Sequence, residues 1–192
     1  FLFAVLITSA YPSMGANVGG AISESIAYIA FFLLICGVKI DFKKSVLVVA
    51  ITALIVAVFA TADIILGMGS HLGNFVVQVF RNGPMEIVTV FARKIDMNIQ
   101  LAQTTVWVNI LLVGLLILGF TIFRPNRHFS YMKERYKIVY DGYLAIMVGC
   151  VVTLLVNDSG IIAAATDSIY LLIPVIIILI NKFNQKEDKY IS

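Results

Sequence analysis

The chain has 192 residues, 60% of them hydrophobic and 13% charged, with a mean hydropathy of +0.98, too apolar for a soluble core of this size to bury. Its net charge of +3 calls for no nucleic-acid partner, because the basic residues gather in short clusters between apolar runs, as the flanks of membrane helices do. Two cysteines, Cys36 and Cys150, both lie inside apolar runs, which excludes a disulfide framework and gives no metal spacing. The composition therefore predicts an all-α polytopic bundle in a lipid bilayer, since the runs are continuous and lack the alternation of a barrel strand.

In chain order, Phe1–Ala10 begins inside an apolar run without Met, and reads as the remnant of a span in the C-terminal part of a longer protein. Residues 11–25, YPSMGANVGGAISES, follow with Pro12, Gly15, Gly19 and Gly20 breaking any helix. A Gly-rich loop before a helix can cradle an anion, but this spacing matches neither a P-loop nor a dinucleotide fingerprint. A connecting loop with Ser23 or Ser25 near a helix start is the plainer reading. Glu24 then reads as a cap on the helix N-terminus, or as the partner of a basic residue elsewhere.

Five full spans are expected at about 22–38, 45–67, 106–123, 138–156 and 161–180, because each run approaches the roughly 20 apolar residues a bilayer core requires. Between the second and third, residues 70–105 are too polar to span and are divided by Asn82-Gly83-Pro84. The second half is helix-periodic, with Ile87, Val88, Phe91, Ile95, Ile99 and Ala102 on one stripe and Glu86, Thr89, Arg93, Asp96, Gln100 and Gln103 on the other. That predicts an amphipathic extracytoplasmic helix that lies along the membrane surface or packs over the outer mouth of the bundle. Lys94 and Asn98, four apart, share a flank on which they could grip one anionic group.

Eleven of the fourteen Lys and Arg residues lie at 39–44, 124–137 and 182–189, on alternate connections that must share a compartment. The positive-inside bias makes that compartment the cytoplasm, together with a tail at 181–192. Residues 11–21, 70–105 and the turn Asn157-Asp158-Ser159-Gly160 then face outward. His71 is outside and His128 inside, so no histidine pair forms a metal site, and nothing in the sequence brings the outward His71 to Ser159 beside Asp158 to activate it.

Asp63 near the outer end of its span, and Asp167 roughly 10 Å below Gly160 at 1.5 Å per residue, are ionisable groups at membrane depth, which usually face inward with a partner. The candidate substrate-binding set is Asn17, Asp63, His71, Arg93, Lys94, Asn98, Asn157, Asp158 and Asp167, an outward polar vestibule covered by the Arg93/Lys94 helix. No cofactor is specified by these residues.

The stretches Pro12 to Gly20, Ser70 to Gly73, Arg93 to Asn98 and Val156 to Ile161 resemble the C-terminal membrane region of a group of uncharacterised bacterial multi-pass proteins, some labelled alkaline-phosphatase-like. The resemblance implies an extracytoplasmic domain ahead of these spans that would carry any metal ligands, and it confers no catalytic role on a residue of this chain. Three functions are expected to compete. One is a membrane module of an envelope enzyme, holding a lipid-linked or phosphate-bearing substrate. The others are a structural anchor or assembly subunit with partner subunits, and a transporter or channel module.

Overall fold

The computed structural model describes residues 1–11, 13–15, 17–67, 71–123 and 127–191, and among them the regular structure is entirely helical. The helices are α1 (Leu2–Ala10), α2 (Val18–Ile35), α3 (Phe42–Leu66), α4 (His71–Asn82), α5 (Met85–Thr104), α6 (Trp107–Phe123), α7 (Arg127–Arg135), α8 (Lys137–Val156) and α9 (Gly160–Ile191). Pro12, Ser70, Arg124 and the side chains of His71, His128 and the basic tail lie outside the described residues.

Four helices, α2, α3, α8 and the Gly160–Ile178 part of α9, are long and apolar enough to cross a membrane. A fifth span results if α5 and α6, which meet at a bend of 105°, are counted as one broken unit. The chain is thus a multi-pass membrane protein by length and composition. Expected and observed boundaries differ by a few residues at most starts: α2 begins at Val18, four residues before the apolar run was expected to become a span. The reason is local. The Asn17 side chain accepts a hydrogen bond from the Gly20 N–H at 2.9 Å and so starts the helix through the glycines. Ser23 therefore lies more than a turn inside, where its hydroxyl donates to the Gly19 carbonyl at 2.9 Å, and Glu24 is no cap.

At the opposite end Asp41 caps α3 in the same way, accepting from the Lys44 N–H at 2.9 Å. That backbone hydrogen bond holds the exposed Asp41 carboxyl below its ordinary value of 3.8. Gly67 closes α3 with φ 64°, a left-handed cap that other residues adopt only under strain. Beyond its apolar part, Gly160–Ile178, α9 continues as a helix to Ile191, through the region expected as a tail.

The four span-length helices and α6 pack in the order α3, α2, α8, α9, α6. Helices that are apolar all round cannot choose partners by hydrophobicity in lipid, so close backbone approach decides. The α2–α8 contact uses small residues: a Cβ on Gly149 would lie 3.2 Å from Ala27 Cβ, while one on Gly142 would meet Phe31 at an ordinary 3.6 Å. Where α2 begins, a Cβ on Gly19 would lie 2.9 Å from Asn157 Cα, so the glycine admits the end of α8. On the other side α6 meets α9 where a Cβ on Gly114 would come 3.1 Å from Ser168. Leu111, Tyr143, Cys150, Ile161, Ala164, Ala165, Leu171 and Val175 form the core between α6, α8 and α9.

Outside this core the surface is strongly apolar. On α3, Val46, Leu47, Leu54, Val58 and Ile65 are all more than half exposed, a face that water would disfavour and acyl chains would solvate. The apolar stripe of α5 is turned away from the bundle. Ile87, Val88, Phe91, Ile95 and Ile99 are exposed, whereas Val90 and Asn98 are buried and Lys94 partly so. The face turned to the protein is the mixed one at 90, 94, 98 and 101, because its polar groups find partners there that lipid cannot offer.

Candidate functional site

The start of α2 at Asn17, α4, α5 and the 157–160 turn converge at one end of the bundle. The convergence follows from four local interactions. Asn17 starts α2 at this end, and its own N–H donates to the Ser9 carbonyl at 3.1 Å. Asp63, one of the most completely buried side chains at 1% exposure, accepts from the Gly73 N–H in the first turn of α4 at 3.1 Å. A carboxylate at a helix N-terminus is favourably placed against the helix dipole, so Asp63 ties α4 to the top of α3. Any side chain at position 73 would collide with the Asp63 carboxylate.

Asn98 ties α5 to the turn between α8 and α9. Its Oδ1 accepts from the Ile161 N–H at 2.9 Å. Its Nδ2 donates within reach of three carbonyls: Lys94 at 3.0 Å, Leu154 at 3.2 Å and Asn157 at 3.1 Å. The amide thus satisfies backbone groups that the break between two helices leaves over. One turn earlier on α5, Lys94 Nζ donates to Asp158 Oδ1 at 2.7 Å, the second link between the same two elements. The idea that Lys94 and Asn98 together grip one anion is not what the geometry shows, since Asn98 is spent on backbone.

These links frame a cavity of about 540 Å³, within the range of small-molecule sites. Asn17, Arg93, Lys94 and Asp158 line it, with Asn74 and Gln78 of α4 as further polar groups and Phe75, Val90 and Phe91 among the apolar ones. Among the described residues its charged lining is two cations and one carboxylate. Arg93 is exposed and forms no salt bridge among those residues, unlike Lys94. Of the other expected site residues, Asn157 lies just behind the cavity, its carbonyl held by Asn98. Asp63 stands apart as the anchor of α4, and the His71 side chain lies outside the described residues.

Asp167 is also elsewhere. It lies partly buried in α9, away from the cavity lining. Glu24 receives a hydrogen bond from the Ser9 hydroxyl, and its Oε2 is buried without a hydrogen-bond partner among the described residues. The sequence reading did not name Asn74, Phe75 and Gln78 as site residues; their helical spacing was a signal, but which face of α4 turned inward depended on the Asp63 contact. Among the described residues no group of three His, Cys, Asp or Glu side chains could hold a metal ion.

Chemically the cavity can do one thing well: present positive charge beside apolar side chains. Among the described residues no nucleophile with a neighbouring base lines it. Comparison with protein-family models, characterised proteins and solved structures finds no match for this chain. Fold and cavity together define a multi-pass helical membrane protein with a mixed cationic and apolar cavity at one end.

Proposed function

We propose that this chain is the membrane module of a bacterial envelope protein, one that holds a lipid-linked or phosphate-bearing substrate in an outward-facing polar site. The observation that carries the reading is the cavity of about 540 Å³ lined by both Arg93 and Lys94 and by Phe75, Val90 and Phe91. An anionic head group would meet the cations while an attached chain lies against the aromatic and aliphatic side chains.

In this reading the protein lies in the cell membrane with five spans, α2, α3, α6, α8 and α9. The 17 residues of α6 reach about 26 Å at 1.5 Å per residue. The basic connections at 39–44 and 124–137 and the C-terminus face the cytoplasm by the positive-inside bias. The exposed apolar stripe of α5 then rests in the outer interfacial layer.

Two measurements test this. With Cys36 and Cys150 replaced by serine, a cysteine at position 158 is expected to react with a membrane-impermeant maleimide in intact cells, and one at position 133 only after lysis. Reversed labelling refutes the orientation. In neutral-lipid nanodiscs the protein is expected to bind a fluorescent dodecyl phosphate, and Arg93→Ala to weaken binding about tenfold or more, the loss of one charge-assisted contact.

A second reading, a structural anchor or assembly subunit, is favoured by the engagement of Asp63, Asn98 and the Lys94–Asp158 pair in holding helices together. Unchanged binding in Arg93→Ala would favour it.

A further inference from the structure

The two partners of the Lys94–Asp158 bridge are unequally placed. The Lys94 side chain is 14% exposed and that of Asp158 is 60% exposed, with Nζ and Oδ1 2.7 Å apart. A largely buried ammonium requires an anion beside it, whereas a carboxylate already mostly in water loses little hydration by turning away. Lys94 therefore needs a counter-ion, but that counter-ion need not be Asp158. Arg93, next along α5 and lining the same cavity, has no bridge among the described residues. The charged lining carries one positive charge in excess.

We propose that Asp158 is a resident counter-ion which a phosphate monoester displaces from Lys94, so that the ligand's phosphate bridges Lys94 and Arg93 while Asp158 turns to water. The inference rests on the anionic-ligand reading above and names its chemistry. A carboxylate ligand would only replace one carboxylate by another. A phosphate monoester brings a charge of about −1.5 to −2 and three acceptor oxygens, enough to engage both cations at once. The salt bridge then acts as a built-in competitor that sets the threshold for binding and keeps Lys94 paired when the cavity is empty. Asn98, fixed on the adjoining turn by its backbone hydrogen bonds, holds α5 in place while the exchange occurs.

The test uses the full chain in phosphatidylcholine nanodiscs, with fluorescent dodecyl phosphate as probe and unlabelled competitors. Asp158→Asn removes the competing charge and retains the turn, and is expected to tighten dodecyl phosphate binding about two- to fivefold, the range an ion pair with one exposed partner supplies. Asp158→Ser is expected to do the same. In Lys94→Met the Asp158→Asn gain is expected to vanish. Weaker or unchanged binding in both position-158 variants, with Arg93→Ala still impaired, overturns the exchange and leaves the cavity reading standing. If no variant alters binding, both fall.

Among competitors, dodecyl phosphate is expected to displace the probe and dodecanol is not. Equal displacement by dodecanoate overturns the preference for phosphate. Inorganic phosphate competing as well as dodecyl phosphate identifies the free ion as the ligand; failure of inorganic phosphate alone identifies a lipid-borne head group.

Discussion

Replacing Asn98 tests how the cavity end of the bundle is held. In Asn98→Ala the Ile161 N–H and the Leu154 carbonyl lose the hydrogen bonds that Asn98 supplies, 2.9 and 3.2 Å long. The carbonyls of Lys94 and Asn157 fare better, since Lys94 lies within α5 and the Asn157 carbonyl also accepts from Gly160. An unsatisfied buried backbone group costs about 1–3 kcal/mol. Two such groups, with water entering the vacated volume to offset part of the loss, give about 2–4 kcal/mol. For a chain of this size that corresponds to a fall in Tm of roughly 5–15 °C.

Asn98→Asp keeps the acceptor for Ile161 but turns a carboxylate toward three carbonyl oxygens, so its loss is expected to equal or exceed that of alanine. The assay follows the reaction of buried Cys150 with a fluorogenic maleimide during heating in detergent, in a Cys36→Ser background because Cys36 is exposed. A Tm for Asn98→Ala within about 1 °C of the parent would refute the assignment of Asn98 as the tie between α5 and the 157–160 turn.

Three further outcomes are expected. Asp63→Ala leaves the N-terminus of α4 without its carboxylate and is expected to cost about 1–3 kcal/mol in the same thermal assay, with faster proteolysis at 68–84; an unchanged cleavage rate would show that α4 is held by something else. Gly149→Leu is expected to force α2 and α8 apart at a cost of about 1–3 kcal/mol, whereas Gly142→Ala, facing a contact of ordinary length, is expected to be neutral or slightly stabilising in the same melts. The depressed Asp41 carboxyl contributes stability that is present above its ordinary value of 3.8 and is lost as pH falls below it; Asp41→Ala is expected to flatten that acid limb of the Tm against pH curve, and an unaltered limb would refute the cap's role.

Much of the architecture is fixed by features that act over a few residues. Continuous apolar runs leave the backbone no partner in lipid but itself, so helices at 45–67, 138–156 and 161–180 could be read directly. Charge clustering grouped three connections together, and described residues of each, Asn17, Asn74, Arg93, Lys94 and Asp158 among them, do line one cavity. Arg93, Lys94, Asp158 and Asn17 could be named as neighbours on that basis.

Which of these residues touch was a different matter. Lys94 and Asp158 are 64 positions apart, and Asn98 and Ile161 63 apart. No periodicity encodes such pairs, because they depend on how helices of nearly uniform hydrophobicity approach one another. That approach is governed by glycines 19, 114 and 149, whose meaning emerges only against a packed neighbour. The same holds for α5: its apolar stripe was visible in the sequence, but lipid and protein interior attract such a stripe equally. The polar face decided the orientation, since Asn98 and Lys94 find their hydrogen-bond partners only on the bundle.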